Sequence, residues 1–148
     1  MKTKLIKRGA GLAMLLAPAC VFATEVPALA CPEIIPAAAV KIDRVAEKWM
    51  SSVPGDFRLS SAGFNNGPPE KKADLKPDSI TERKQHSVAT WRFDEDGFVD
   101  GLWLACAYGG AAGEIILARR LPEGYRSCSV SARPSSKAGA QVVQITCR

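Results

Sequence analysis

The C-terminal stretch 128-CSVSARPSSKAGAQVVQITCR-148 decides the fold, because it contains two strand patterns that match each other. Such alternation of apolar and polar residues is typical of strands with one buried face. When the stretch folds about Ser135 to Ala140, one register brings three pairs opposite each other: Cys128 and Cys147, Val130 and Ile145, Ala132 and Val143. A slip of one residue would spoil both the apolar face and the cysteine pairing. Opposed Cβ atoms lie about 4.5–5.5 Å apart, so the sequence predicts a hairpin closed by a disulfide.

Residues 1–23 have the features of a cleavable signal peptide. Basic residues come first and an apolar run follows them (Lys2, Lys4, Lys7 and Arg8, then Ala10–Phe22). Small residues in 21-VFA-23 predict cleavage after Ala23. The run is shorter than the roughly 20 residues of a membrane span, and the residues before Cys20 and Cys31 fit a lipid-attachment box poorly. We therefore expect a protein without a membrane span, in the periplasm or secreted, rather than a lipid-anchored one.

The positive charge of the chain belongs mostly to this export signal. The whole sequence has 20 basic and 15 acidic residues; residues 1–23 contain four of the basic and none of the acidic residues, which leaves a net charge of +1 on the rest. No basic cluster remains there, so we expect no nucleic-acid partner. Residues 24–148 suit a single domain with one core.

Cysteine usage indicates two disulfides. The chain has five cysteines, and four remain once Cys20 leaves with the signal peptide. An even number in an exported chain implies pairing. With Cys128 assigned to Cys147, elimination pairs Cys31 with Cys106. The cysteines show no spacing typical of zinc ligands and the chain has one histidine, so no metal or cofactor is predicted.

The middle of the chain predicts further strands. Residues 88-VATWRFD-94 and 101-GLWLACAY-108 predict a hairpin with its turn at Asp96-Gly97, and 114-EIILARRL-121 predicts a strand after it. Alternation puts Trp103 on the face opposite to Cys106. Together with a strand at 57-FRLSSAGF-64 and the terminal hairpin, these form a meander. The expected fold is all-β, a small antiparallel sandwich or open barrel of about seven strands.

Two stretches of the front half lack a strand pattern. Residues 65–87 are polar, rich in lysine and broken by prolines, which predicts a long polar loop. In residues 38–53 the apolar residues recur at helical spacing and favour a short helix (Ala38, Ile42, Val45, Ala46, Trp49 and Val53).

The order of motifs along the chain resembles that of a known family. The shared features are Cys31-Pro32, Gly67-Pro68-Pro69, Thr90-Trp91-Arg92-Phe93, Trp103-Leu104-Ala105-Cys106-Ala107-Tyr108, Cys128 and Cys147-Arg148. They are similar to a family of small exported, two-disulfide proteobacterial proteins without an assigned activity. The resemblance implies an extracytoplasmic β-rich domain with strand after Cys31, so helix and strand both stay open for residues 38–53. Members sometimes lie near type VI secretion effectors that attack peptidoglycan, which implies an immunity role.

No residues form a catalytic or metal-binding pattern. Asp94, Glu95, Asp96 and Asp100 lack the ligand spacing of a calcium loop and are typical of a solvated turn. His86 lies in a polar stretch with no evident partner, which indicates a surface histidine. Bridged cysteines offer no thiolate. The sequence therefore does not predict an enzyme.

Recognition is expected to use Gly67, Pro68, Pro69 and Trp103. Prolines restrict the unbound chain and lower the ordering cost of docking, and exposed tryptophans anchor interfaces. The predicted function is an exported periplasmic inhibitor, an immunity factor that neutralises a cell-wall-acting enzyme or toxin. The alternatives are a small envelope hydrolase, which needs a pocket joining His86 to an acid and a nucleophile, and a glycan-binding module, which needs Trp91 and Trp103 side by side on an open face.

Overall fold

Two four-stranded antiparallel sheets pack against each other in the computed structural model, which describes residues 29–94, 97–110 and 114–148. The strands are β1 (Ile34–Ile35), β2 (Phe57–Asn66), β3 (Ser79–Arg83), β4 (His86–Arg92), β5 (Leu102–Tyr108), β6 (Ile115–Arg120), β7 (Ser127–Pro134) and β8 (Gln141–Cys147). The first sheet has the order β1-β2-β5-β6 and the second β3-β4-β7-β8. The predicted all-β sandwich is confirmed, with eight strands among the described residues. The predicted signal peptide, 1–23, lies outside the described residues.

The C-terminal hairpin has the register that its sequence predicts. In β7 and β8, Cys128 pairs with Cys147, and the two apolar pairs behind them also lie opposite each other. Both predicted disulfides are present. Cys128–Cys147 closes the hairpin with its Cα atoms 4.1 Å apart, and Cys31–Cys106 ties the segment before β1 to β5 with a Cα separation of 5.9 Å.

Strand β5 is one of the two central strands of the first sheet and alternates as predicted. Its even-numbered residues, Leu102 to Tyr108, are buried in the core, and Trp103 lies on the outer face. The Tyr108 hydroxyl donates a hydrogen bond to the Pro32 carbonyl at 2.8 Å, which fixes the segment that follows Cys31. Burial of this phenol raises its pKa above the ordinary value.

An aromatic cluster joins the two sheets. Phe64 of β2 meets Trp91 of β4 edge to face with ring centroids 5.1 Å apart, and it meets Phe93 at 5.6 Å. The Trp91 indole N–H donates to the Leu75 carbonyl at 2.8 Å. A buried tryptophan needs such a partner for its polar end, so this bond keeps Trp91 inside the sandwich.

The hairpin predicted between residues 88–94 and 101–108 is wrong. β4 pairs with β3 and β7, whereas β5 pairs with β2 and β6, so the two strands belong to different sheets. Each strand has one apolar face, and a sandwich buries two such faces by placing them in opposite sheets. The chain therefore crosses between the sheets after β4. Asp96 of the predicted turn lies outside the described residues.

The stretch predicted as a polar loop, 65–87, is partly strand. β2 extends into it, and β3 and the start of β4 form its second half. The irregular part is limited to residues 67–78 and includes a 3-10 turn at Pro69–Lys71. Every residue of β3 is exposed. An edge strand of this kind forms through backbone pairing, so it has no buried face from which a period-2 pattern could arise.

Residues 38–53 form neither of the expected elements. A 3-10 turn spans Ala37–Ala39, and no helix or strand follows until β2. Lys48 has a φ of 68°, which an α-helix cannot contain. Ile42 and Trp49 are 50% and 75% exposed, so the helical spacing has no core to pack against. Among the described residues, the structure has no helix with the length and apolar character needed to cross a membrane.

Candidate functional site

The four predicted partner-binding residues lie together at one end of the first sheet. The β2–β5 register places Asn65 opposite Trp103. The chain then turns at Gly67, whose N–H donates to the Gly101 carbonyl at 2.9 Å. This bond joins the segment after β2 to the segment before β5. We call the surface formed by residues 67–71 and 99–103 the Trp103 corner.

Gly67 shapes the Trp103 corner from beneath. It is buried and has a φ of 100°, in the region that favours glycine. A Cβ atom at this position would lie 3.0 Å from the Asp100 Cβ and 3.2 Å from the Lys71 Cδ. Gly67 therefore allows close packing of two segments, and it is the half-buried Pro68 and Pro69 that reach the surface.

Trp103 is held in place by its neighbours on the outer face. It is half-buried, and its indole N–H donates to the Asp100 carbonyl at 3.1 Å. The Asp100 carboxylate in turn forms an ion pair with Lys71. These contacts link the tryptophan to the proline turn. A partner would thus meet an aromatic side chain whose orientation is set before binding, which lowers the entropic cost of association.

Arg120 of β6 extends the Trp103 corner sideways. It lies opposite Trp103 in the β5–β6 register. Its guanidinium covers Gly101, where a Cβ atom would approach the Arg120 Nε to 2.5 Å. Gly101 has a φ of 80° and leaves the room that this side chain occupies. The corner therefore combines an aromatic ring, two prolines and cationic side chains.

The requirement of the hydrolase alternative is not met in the described part of the chain. His86 is exposed at the start of β4, opposite Arg83 in the β3–β4 hairpin. Within the described ranges its imidazole has no acidic partner, and no three or more metal-ligating side chains come together. All four cysteines described are in disulfides. Glu95 and Asp96 of the acidic turn lie outside the described residues.

The platform required by the glycan-binding alternative does not form. Trp91 is 6% exposed and lies in the core. Trp103 lies on the outer face of the other sheet. The two rings are therefore not side by side on an open face, and this expectation is wrong.

A cleft next to the Trp103 corner was missed by the sequence analysis. It has a volume of about 690 Å³, and the segments before β5 and after β6 line it. Phe93, Phe98 and Leu121 supply apolar surface, and Glu123 lies among its polar lining residues. These residues are far apart in the sequence and become neighbours only when the sheets pack, so no local pattern indicates the cleft.

Comparison with known proteins places most of this architecture in one family. The family model described as type VI secretion system Tli immunity protein matches residues 54–148, more than half of the chain. The matched region contains β2 to β8 and the whole Trp103 corner. No curated protein and no solved structure gives a significant match.

Proposed function

The chain belongs to the type VI secretion system Tli immunity protein family, and from this membership we propose that it neutralises a type VI effector by binding it. The match over residues 54–148 is the observation that carries the proposal. The Trp103 corner supports binding as the mode of action, because its tryptophan and proline turn are held in place before any partner arrives.

The Trp103 corner is the surface that we propose contacts the effector. Aromatic anchors supported by packed neighbours contribute most of the binding energy at protein interfaces. Trp103 has this character, and Pro68 and Pro69 lie on the turn that Lys71 links to Asp100, a turn that loses little entropy on docking. The neutralising contact would cover a functional region of the effector and so block access to its substrate.

The proposed place of action is the periplasm. Residues 1–23 have the pattern of a signal peptide, and disulfides such as Cys31–Cys106 form in oxidising compartments. A chain expressed without residues 1–23 should stay reduced in the cytoplasm and fail to protect the cell. Protection by that truncated chain would contradict the periplasmic part of the proposal and leave the immunity part standing.

The proposed target is an effector that acts on the cell wall. This narrower statement rests on the resemblance to proteins that lie near peptidoglycan-directed effectors. The check is to incubate the purified effector with isolated peptidoglycan and, separately, with phospholipid vesicles. Release of peptidoglycan fragments is expected. Hydrolysis of the vesicles alone would reject the cell-wall target and keep the immunity role.

A competition between sister cells tests the proposed function. Recipients that lack this gene should be killed by the parent strain, and they should survive when they carry the gene again. The effector whose inactivation in the attacker restores the survival of the recipient is then, by definition, the cognate effector. Equal survival of the deleted and complemented recipients under attack would contradict the immunity role.

A further inference from the structure

We infer that β6 is a docking edge that accepts an extended strand of the cognate effector, with acidic residues of that strand opposite Arg119 and Arg120. The inference rests on the proposed function, since its occupant is the effector. It concerns a different feature from the Trp103 corner, namely the unpaired backbone of an edge strand.

The hydrogen-bond pattern of β5 shows which groups of β6 are free. The Leu121 N–H donates to the Leu102 carbonyl at 2.8 Å on the β6 side of β5, whereas the Gly67 N–H donates to Gly101 on the β2 side. Because bonding directions alternate along an antiparallel strand, even-numbered β5 residues bond to β6 and odd-numbered residues bond to β2. In the regular β5–β6 register, Ile116, Ala118 and Arg120 therefore direct their N–H and C=O groups away from β5. Among the described residues, β6 has no second neighbouring strand.

Apolar side chains accompany these free groups on both faces of the sheet. Ile116 lies opposite Ala107 on the outer face and is 44% exposed, and Leu117 lies opposite Cys106 on the inner face and is 41% exposed. Natural edge strands are usually protected against pairing by charges, prolines or bulges. The run Ile115–Ala118 has none of these. A strand added at this edge would bury both exposed side chains.

Strand β3, one edge of the second sheet, has the protection that β6 lacks. Glu82 and Arg83 occupy its C-terminal half, and Lys84 follows in the turn. Charges of this kind discourage the pairing of edges. Of these two edges, β6 is therefore the one suited to an added strand.

Two arginines specify the chemistry of the added strand. Arg119 and Arg120 are exposed on opposite faces at the C-terminal end of β6. Arg120 approaches Glu123 only to 4.0 Å, and that carboxylate is 95% exposed, so the pair leaves guanidinium donors available for a carboxylate. An antiparallel guest strand would therefore have two consecutive acidic residues at its N-terminal end and apolar residues after them.

The same charges argue against a second copy of this chain as the occupant. Antiparallel pairing of two β6 strands centred on Ala118 would put Arg120 of one copy opposite Ile116 of the other. Parallel pairing in register would put like charges opposite each other, which destabilises a sheet. An acidic strand would place carboxylates opposite Arg119 and Arg120, and a second copy of β6 would not. Arg120 also lies opposite Trp103 on the outer face, so a guest strand paired with β6 would extend to the Trp103 corner.

Substitutions at Ala118 test the inference on the purified full-length gene product recovered after export. Ala118→Pro removes the N–H that points away from β5, while the β5–β6 bonds stay intact. The matched control Ala118→Val keeps the N–H. We expect the affinity for the purified cognate effector to fall at least about tenfold in Ala118→Pro, because a hydrogen bond and the fit of the guest strand are lost, and to change less than about threefold in Ala118→Val.

The charge requirement has its own pair of variants. Arg119→Glu combined with Arg120→Glu should weaken binding at least about tenfold, since charge-assisted bonds are lost and repulsion replaces them. Arg133→Glu, at an exposed arginine of β7, is the matched control and should leave the affinity unchanged.

Amide hydrogen exchange of the unsubstituted protein gives a result that does not depend on any variant folding. Effector binding should slow exchange at Ile116, Ala118 and Arg120, whose N–H groups have no strand partner in the described part of the free protein. A complex in which these three amides exchange as in the free protein would overturn the inference and leave the immunity role standing. Failure of the unsubstituted protein to bind the effector would overturn both. Protection of these amides by self-association, without effector, would identify a second copy as the occupant and also overturn the inference.

Discussion

Trp103 is the side chain on which the proposed interface depends most. Its indole is anchored to Asp100, and Asp100 is anchored to Lys71, so one residue connects the ring to the proline turn. Alternation along β5 predicts the face on which Trp103 lies. Its proximity to Gly67 depends on the β2–β5 pairing, which no local pattern shows.

Trp103→Ala should raise the dissociation constant for the cognate effector at least about tenfold, in the range of an interface hot spot. Titration calorimetry with both purified proteins measures this, and thermal unfolding checks that the variant is folded. His86→Ala is the control, since this exposed histidine lies away from the Trp103 corner in the β3–β4 hairpin. Unchanged affinity in Trp103→Ala, or a loss confined to His86→Ala, would place the interface elsewhere.

Gly67→Ala should destabilise the fold by about 2–4 kcal/mol, because it adds backbone strain and a steric conflict with Asp100 and Lys71. Gly124→Ala is the matched control. Its φ is also 100°, but no atom lies within 4 Å of the added Cβ, so only the strain of about 1–2 kcal/mol remains. Denaturant unfolding measures the free energy of unfolding of both variants. Equal losses of stability would show that the close packing around Gly67 does not contribute to stability.

Tyr108 should make the fold less stable in alkaline solution. Burial raises the pKa of its phenol above the unfolded value of 10.0, so the folded state favours the neutral form. This contribution is fully present below pH 10 and is lost as the pH rises through the folded pKa. Tyr108→Phe loses the hydrogen bond to Pro32 at every pH. It also has no phenol to titrate, so the loss of stability in alkaline solution that Tyr108 causes should disappear. The measurement is the free energy of unfolding of both proteins between pH 9 and about 11. If it changed with pH by the same amount in both, the assignment to Tyr108 would be contradicted.

The pairing of strands that are adjacent in the sequence could be predicted where both partners lie in one local pattern. The pairing of strands that are distant in the sequence could not. The β7–β8 hairpin contains both its apolar face and its cysteines, so a single register satisfies them. β4 and β5 have equally clear apolar faces, yet the sequence does not say whether two such faces lie in one sheet or in opposite sheets. Strand β3 is polar and has no buried face, so its sequence has no strand pattern. It is recognised as a strand only from its backbone pairing with β4 in the structure.

The two disulfides should contribute unequally to stability. Cys31 and Cys106 are 75 residues apart, and Cys128 and Cys147 are 19 apart. Chain-entropy arithmetic gives about 4.5 and about 3.2 kcal/mol for loops of these lengths. The double variant Cys31→Ala with Cys106→Ala should therefore lose about 1 kcal/mol more than the variant Cys128→Ala with Cys147→Ala. Urea unfolding of both is the measurement, and the reverse order would contradict this account.

The molecule as a whole brings its candidate binding features to one side of the first sheet. The Trp103 corner and the free edge of β6 share the outer face around β5, whereas the second sheet closes the core behind them. The sequence indicated the individual residues Gly67, Pro68, Pro69 and Trp103. Their assembly with Arg120 into one surface follows from the strand order, which only the structure shows.

The most direct test of the account is a titration in which the purified protein is added to a fixed amount of the cognate effector. Binding and effector activity are measured in the same samples. Neutralisation by direct binding predicts that activity falls in proportion to the bound fraction and disappears at saturation. Full activity in the saturated complex, or an effector that the protein does not bind, would contradict it.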